Sequence, residues 1–275
     1  MDLVDVLEVI SPRSEEEIPS WSPGDAYVAG GTWLFSEPQP GVRRLIDLSK
    51  LANPGISVRG EEVVIPSLLT YQQLQESPSL LADAGGLFFQ AIRTLSSSFK
   101  TWGVATVGGN VCLAYAKSMM APTFALLDAT YELLTPGVGI RQVRAREFQT
   151  GVCETIRRPG EFLREIRIPR HRLTGRFALK KESYTRTSHA TVMLLGRMPV
   201  VEGEQEATVT VSAATVRPVS FEISRHASTS ELLRLVEERL EGVALMETGH
   251  GSASYGRQMI ALLAEGVWTE LREGV

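Results

Sequence analysis

Cysteine is scarce in this chain, and its two copies form no motif. Cys112 and Cys153 are the only cysteines among the 275 residues, and neither belongs to a CxxC pair or stands beside a histidine. Disulfide frameworks, zinc sites and iron–sulfur clusters need closely spaced thiolates or imidazoles. The sequence therefore predicts no metal centre in this chain, and we expect Cys112 to be a small buried residue.

An excess of positive charge and a long apolar run are also missing. The formal net charge is −4, and charged residues make up 22% of the chain. Proteins that track a phosphate backbone carry a basic footprint, so we expect no nucleic-acid partner. No run approaches the ~20 apolar residues of a membrane span, and the start of the chain is acidic where a secretory signal is basic. We therefore expect a cytoplasmic protein that does not enter a membrane.

The sequence also lacks the side-chain patterns that are typical of a catalytic site. The histidines are scattered, and none stands in a carboxylate or cysteine pattern typical of a metal site or a triad: His171, His189, His226 and His250. Isolated histidines rarely carry a mechanism. We predict no catalytic residue in this chain.

The chain does contain strand and helix patterns in three blocks. Residues 1–54 are typical of a small α/β unit, and residues 55–170 of a mixed α and β region. In the second block Thr70 and Gln73 form a capping-box pattern, a longer helix covers residues 80–95, and Pro169 closes a strand. From residue 176, strands precede two helices, which is typical of an α+β unit. The predicted domains are residues 1–170, with sub-domains of about 1–54 and 55–170, and residues 176–275.

Two glycine pairs lie beside apolar strand-like segments. Gly30 and Gly31 precede Thr32, and Gly108 and Gly109 precede Asn110. Glycine admits positive φ and leaves the backbone uncovered, so consecutive N–H groups can form an anion-binding nest for a phosphate or pyrophosphate. A tight turn without a ligand is the commoner explanation for any one pair. The fingerprints GxGxxG and GxxxxGK[ST] are absent, which removes the usual phosphate loops.

Several segments, in one order, resemble a known family. They are "AGGTWLF" (29–35), "LIDLSKL" (45–51), "ATVGGN" (105–110), "ALLDATYEL" (125–133), "FLREIRIP" (162–169), "SAATVRPV" (212–219) and "SASYGRQMIALLAEGVW" (252–268). They cover nearly the whole chain and look like the FAD-binding medium subunit of the molybdenum hydroxylases. This is the flavoprotein family of xanthine dehydrogenase and carbon monoxide dehydrogenase.

The resemblance implies an α+β architecture and a cofactor site. The fold would be a vanillyl-alcohol-oxidase-type (PCMH-like) FAD-binding domain of two α/β sub-domains, followed by a C-terminal α+β domain with a three-stranded sheet and helices. The implied cofactor-binding residues are Val28, Ala29, Gly30, Gly31, Thr32, Trp33, Leu34, Thr106, Val107, Gly108, Gly109, Asn110, Met119, Leu163, Arg164 and Lys180. Residues 29–34 would wrap the pyrophosphate, and residues 106–110 would face the flavin and its ribityl chain. His189 follows Lys180 in a segment that would border the flavin.

The resemblance also implies a role. The chain would be the FAD-binding electron-transfer subunit of a molybdenum-dependent hydroxylase, passing electrons from an iron–sulfur subunit to an external acceptor. Molybdopterin and the 2Fe–2S clusters would be held by partner subunits, and the substrate would be oxidised on the molybdopterin subunit. A flavin needs orientation and tuning more than acid–base residues, which agrees with the lack of a catalytic pair.

Departures from the family pattern leave two alternatives open. Trp33 stands where many members have aspartate or asparagine, Trp102 and Gly103 belong to a "TWG" that replaces "IRN", and Met119 stands in place of a carboxylate near the ribityl chain. These changes predict weaker or altered FAD binding. The alternatives are a free-standing flavoprotein oxidoreductase and a degenerate scaffold subunit with weak or no FAD binding.

A locally basic stretch completes the sequence features. Residues 141–148 and 156–172 are rich in arginine within an otherwise acidic protein. A solvated surface is the ordinary explanation, and a contact with an acidic partner or with the FAD phosphates is the functional one.

Overall fold

The protein is described by a computed structural model that covers residues 3–94, 99–185, 188–201, 203–247 and 251–274. It is a mixed α and β fold built on three main sheets. Leu95, the last residue of the helix predicted over residues 80–95, and His250 lie outside the described ranges. Within those ranges, no helix is long and apolar enough to cross a membrane.

The first sheet is small and parallel. Its strands are β1 (Glu8–Ile10), β2 (Asp25–Val28) and β3 (Arg44–Asp47), in the order β1-β3-β2. Ile46 and Leu48 are buried beneath it against Phe162 of the second sheet. The first glycine pair comes one residue after the end of β2, so the sheet places it beside a strand end.

The second sheet is antiparallel and forms the centre of the molecule, in the order β4-β5-β10-β6-β7. The elements of this part are β4 (Ser57–Arg59), β5 (Glu62–Pro66), α1 (Tyr71–Gln75), α2 (Ala84–Thr94), α3 (Phe99–Trp102), α4 (Val107–Leu113), α5 (Met120–Leu126), β6 (Thr130–Thr135), β7 (Gly139–Arg144), α6 (Ala145–Phe148), β8 (Gln149–Gly151), β9 (Glu154–Thr155) and β10 (Phe162–Pro169). The helices bury apolar side chains such as Phe88 and Phe124 in one core with the sheet.

Local sequence signals explain several of these boundaries. The predicted capping box is confirmed: the Thr70 hydroxyl accepts from the Gln73 amide at 3.2 Å, and the Gln73 carboxamide oxygen accepts from the Thr70 amide at 3.0 Å. The strand predicted to close at Pro169 is β10, which also ends there. A proline nitrogen has no hydrogen to donate to a ladder, so it is suited to a strand terminus.

The third sheet is antiparallel and lies in the last hundred residues. Its strands follow the chain order: β11 (Arg176–Glu182), β12 (Val192–Met198), β13 (Glu206–Ser212) and β14 (Val219–Ser224). Helices α7 (Thr229–Leu240) and α8 (Ala253–Glu273) share a core with this sheet, in which the Trp268 indole donates to the Ala227 carbonyl at 3.1 Å.

This sheet corrects one expectation, because it has four strands where the resemblance implies three. Residues 206–224 contain two of these strands, divided after Ser212, where Ala213 adopts a left-handed φ of 67°. Alanine gives no local signal for that conformation, which usually marks glycine or asparagine. The local signal for the division is Pro218, which directly precedes β14.

Candidate functional site

A cleft of about 430 Å³ lies between the first sheet and the central part of the chain. One set of lining residues comes from β2 and the loop after it, and a second from α4 and the segment before it. Arg157, Phe162 and Leu163 contribute from β10 and its approach. A volume of this size is typical of small-molecule sites.

The first glycine pair gives the cleft a row of free amides. Gly31 has a left-handed φ of 66°, and the chain turns there, with the Phe35 amide donating to the Gly31 carbonyl at 2.9 Å. In the described part of the chain, the amides of residues 30–34 donate to no protein acceptor. Successive free N–H groups around a left-handed glycine are the arrangement of an anion-binding nest.

Close packing requires glycine at both positions of this pair. A Cβ added at Gly30 would lie 2.1 Å from the Val104 carbonyl oxygen, and one added at Gly31 would lie 2.4 Å from the Phe35 ring. The loop therefore rests directly on the backbone that leads into α4. This contact brings the two glycine-containing segments to the same cleft.

The second glycine pair is not a turn, which corrects the prediction. Gly108 and Gly109 lie in the first turn of α4, capped by Thr106. The amides of this turn are already bonded within the protein: Val107 to Leu69 O at 2.9 Å, Gly108 to Ser67 O at 2.8 Å, Gly109 to Thr106 Oγ1 at 3.0 Å and Asn110 to Thr106 O at 3.1 Å. The nest predicted for this pair is therefore wrong, because its N–H groups have protein acceptors.

Packing also explains why glycine occupies position 108. A Cβ there would lie 2.5 Å from the Ser67 Cβ, so only glycine lets α4 approach the end of β5 this closely. The signal that could have identified the helix is Thr106. Threonine is a good N-cap residue, and the Thr106 hydroxyl accepts a hydrogen bond from the Gly109 amide, three positions later.

Asn110 contributes a fixed polar side chain at the cleft. Its carboxamide oxygen accepts from the Ser118 hydroxyl and from the Met120 amide, the latter at 3.2 Å. Asn110 also hydrogen-bonds the Tyr71 hydroxyl, and burial raises the pKa of Tyr71, so this phenol is neutral. These bonds hold the Asn110 side chain in one orientation.

One end of the cleft is aromatic and carries a cation that the sequence analysis did not single out. The rings of Trp21 and Tyr27 have centroids 4.9 Å apart, and those of Tyr27 and Phe162 are 5.4 Å apart. Arg157 lines the cleft beside them. The sequence marked Arg157 only as part of the basic stretch over residues 156–172. A contact with the FAD phosphates was one interpretation of that stretch.

Most arginines of that stretch are engaged in ion pairs. Arg141 binds Glu161 at 2.6 Å, Arg164 binds Glu15 at 2.6 Å and Glu132 at 2.8 Å, and Arg167 binds Glu165 at 2.7 Å. Such pairs are part of the protein's own structure. The basic composition of the stretch therefore does not by itself indicate a surface for an acidic partner.

The cleft brings together most of the predicted cofactor residues. Those that line it are Val28, Ala29, Gly30, Gly31, Thr32, Trp33, Leu34, Thr106, Gly108, Gly109, Asn110 and Leu163. Cys112 lines it as well and is only partly buried, rather than a fully buried filler. The sequence analysis missed Tyr27, Ser67 and Tyr71 among the lining residues, since no motif marks them.

Four predicted residues lie elsewhere. Val107 and Met119 are buried in the central core, and Arg164 is held between Glu15 and Glu132. Lys180 lies on the face of β11 toward α8, where it binds Glu270 at 2.8 Å. Residues alternate between the faces of a strand, so the neighbouring Lys181 occupies the opposite face.

A short aromatic series extends from the cleft toward the third sheet. Trp33, which is 42% exposed, has its ring centroid 5.9 Å from that of Tyr115, and Tyr115 is 6.0 Å from His189. Burial lowers the pKa of His189, and the charges of Lys117 and Lys181 lower it further. His189 is therefore neutral near pH 7. Trp33 belongs to the cleft rim and not to a core.

The residues that the structure describes include no group of three or more histidine, cysteine or acidic side chains able to hold a metal ion. The charged residues of the cleft lining are Asp25 and Arg157. Asp25 is bound by Arg44, with its two oxygens 2.8 Å from Nε and 2.6 Å from Nη2. Among the residues that the structure describes, the cleft thus offers amides, aromatic rings and Arg157, a cation without an ion pair.

Comparisons with known proteins identify the family of this chain. The model of the FAD binding domain in molybdopterin dehydrogenase matches residues 7–171. The carbon monoxide dehydrogenase medium chain of Afipia carboxidovorans is 32% identical over 126 residues, which are 46% of this chain and 43% of that protein. The matched region thus spans less than half the length of this relative.

Solved structures show the same fold over the whole chain. Quinoline 2-oxidoreductase from Pseudomonas putida 86 matches with a TM-score of 0.81 at 20% identity, covering 100% of this chain and 99% of that one. A carbon monoxide dehydrogenase from Hydrogenophaga pseudoflava matches with a TM-score of 0.81 at 18% identity, covering 98% of each chain. The chain belongs to the family of FAD-binding domains of molybdopterin dehydrogenases.

Proposed function

We propose that this chain is the electron-transfer subunit of a molybdenum-dependent hydroxylase or dehydrogenase, and that it binds FAD in the cleft described above. Residues 1–170 act as the FAD-binding domain and residues 176–275 as the second domain. The observation that carries the proposal is that residues 30–34 line a cleft of suitable size and that their amides have no acceptor in the described part of the chain. These donors suit the pyrophosphate of a flavin dinucleotide.

The residues present fit this cofactor in charge and in shape. A dinucleotide carries two negative charges. Within the described part of the chain, the cleft lining holds Arg157, which forms no ion pair, and Asp25, whose carboxylate is paired with Arg44. Trp33, Leu34 and Leu163 supply apolar and aromatic surface for the rings. The Asn110 carboxamide, fixed by Ser118 and Met120, gives a polar contact of defined direction.

The chain's own residues orient the cofactor and do not transfer protons. FAD, when bound, supplies the ability to exchange electrons one or two at a time. The neutral Tyr71 and the partly buried Cys112 line the cleft without providing a base, because burial raises the pKa of both groups. No side chain of this chain is assigned a catalytic role.

The proposed partners are an iron–sulfur subunit and a molybdopterin subunit. Support comes from the relative of Afipia carboxidovorans, which is the medium chain of a carbon monoxide dehydrogenase. Electrons would reach the flavin from iron–sulfur clusters and leave to an external acceptor. Substrate oxidation would occur on the molybdopterin subunit.

A scaffold subunit with weak or no FAD binding is the second candidate. It is favoured by the α4 amides, which are bonded to protein acceptors, and by Met119, which is buried in the core and offers no polar atom to a ribityl chain. A protein that binds FAD only through the first loop would hold it less tightly than one with two nests.

Purification of the full chain separates the candidates. We expect a protein that is yellow, or becomes yellow after soaking with FAD and desalting, with a flavin absorption spectrum. A protein that stays colourless after soaking would favour the scaffold. Rapid turnover of a substrate with oxygen by the chain alone would instead indicate a free-standing oxidoreductase.

A further inference from the structure

Arg157 lines the cleft with part of its hydrogen-bonding capacity unused. Its Nη1 donates to the Glu161 carbonyl at 3.2 Å, and its buried Nε has no acceptor in the part of the chain that the structure describes. Buried polar groups in native proteins normally have a partner. An arginine that lines a cleft and has donors without a protein acceptor is suited to bind an anion there.

The carboxylates of Glu161 and Asp25 are already engaged by other residues. The Glu161 carboxylate is bound by Arg141 at 2.6 Å and by the Arg158 amide at 2.7 Å. Asp25, the acidic residue of the cleft lining, is bound by Arg44 at 2.6 Å. Among the described residues Arg157 forms no ion pair.

The weak acids beside Arg157 are also uncharged near neutral pH. The Tyr27 hydroxyl donates to the Gly160 carbonyl at 2.9 Å, and burial together with the Asp25 charge raises its pKa to about 12. Burial raises the pKa of the Cys112 thiol as well. The positive charge of Arg157 is therefore left for an anion that enters the cleft.

We propose that Arg157 binds a phosphate oxygen of the dinucleotide and makes the cleft selective for phosphorylated flavin over riboflavin. This rests on the proposed function, since it assigns a residue to the same cofactor. A guanidinium forms short, directional hydrogen bonds to phosphate oxygens, and such bonds are stronger in a partly buried site. Arg157 thus supplies phosphate recognition that the bonded amides of α4 do not supply.

Binding measurements on the full chain test this assignment. FAD and riboflavin are titrated by flavin fluorescence and ADP by calorimetry, against the wild type, Arg157→Gln and Arg158→Gln. Arg158 is the matched control, because it is the next residue, is exposed and does not line the cleft. Circular dichroism checks that both variants are folded.

We expect Arg157→Gln to raise the dissociation constants for FAD and ADP by roughly 10- to 100-fold, which is the range for losing a charge-assisted hydrogen bond. The dissociation constant for riboflavin should change by less than about 2-fold, and Arg158→Gln should bind all three ligands as the wild type does. Equal losses for FAD and riboflavin, or unchanged FAD binding, would overturn the assignment. Arg157-dependent ADP binding without any flavin binding would support Arg157 as a phosphate contact and reject the proposed function. A wild type that binds none of the three ligands rejects both.

Discussion

At the scale of single residues, the two glycine pairs look alike in sequence and serve different purposes. Gly31 turns the first loop so that the amides of residues 30–34 are free, whereas Gly108 lets α4 pack against Ser67. The sequence placed both pairs at one site, and both line the same cleft. Whether their amides are free was not, because the acceptors for α4 come from Ser67 and Leu69, about forty positions earlier in the chain.

Replacing Gly31 with alanine should weaken FAD binding. The new Cβ would lie 2.4 Å from the Phe35 ring at a φ of 66°, so the loop must shift and its amides lose their alignment. We expect at least about a tenfold rise in the FAD dissociation constant, measured by fluorescence titration. Gly41→Ala is the control, since Gly41 also has a positive φ, of 80°, but has open space around it and lies outside the cleft lining.

A substitution of Met119 distinguishes a role in core stability from a role in FAD binding. Its side chain is 1% exposed in the central core, so Met119→Ala should reduce the free energy of unfolding by about 2–4 kcal/mol. Urea denaturation measures this loss. A stable variant with sharply weaker FAD binding would instead place Met119 at the cofactor.

At the scale of elements, some helix starts were predictable from the residues beside them. The capping box of α1 was evident from Thr70 and Gln73, and a second one begins α7 at Ser228 and Glu231. The strand order was not predictable, because β10 lies between β5 and β6 although it follows both in the chain. Such pairing is decided by long-range packing and not by local propensity.

The cap of α4 should link stability to cofactor binding. Thr106→Ala removes the hydroxyl that accepts from the Gly109 amide, with an expected loss of about 1 kcal/mol. Because α4 lines the cleft, FAD affinity should fall as well. Ser228→Ala removes the equivalent cap of α7, far from the cleft lining, and should cost similar stability while leaving FAD affinity unchanged.

At the scale of the whole molecule, an ionic cluster joins the third sheet to the central part. Glu222 of β14 is 2.8 Å from Arg172 and 3.3 Å from Arg146 of α6, and Asp128 is 3.4 Å from Arg146. Burial opposes ionisation of Glu222, but the two guanidiniums outweigh it and lower its pKa below the ordinary value. The contact is therefore strongest when Glu222 is charged.

This cluster predicts an acid-sensitive contribution to stability. A carboxylate with a lowered pKa contributes stability above its ordinary pKa near 4.5, and that contribution is lost as the pH falls further. Glu222→Gln should thus be less stable than the wild type by about 1 kcal/mol at pH 7, with the difference shrinking at acid pH. Urea unfolding at several pH values measures it. A difference independent of pH would contradict an ionic origin.

The overall architecture was largely predictable, and the exact chemistry of the cleft was only partly so. The apolar patterns and the family resemblance identified the α+β fold and the first loop. They did not reveal Arg157, whose proposed phosphate contact depends on Glu161 and Asp25 being paired with Arg141 and Arg44. They assigned Lys180 to the cofactor, whereas the structure places it on the α8 face of β11.

A crystal structure of the full chain soaked with FAD tests the central claim most directly. We expect the pyrophosphate oxygens within hydrogen-bond distance of the amides of residues 30–34, and no cofactor atom bonded to the amides of Val107 or Gly108. A cofactor held in another part of the molecule, or a cleft that remains without FAD at saturating concentration, would contradict the account.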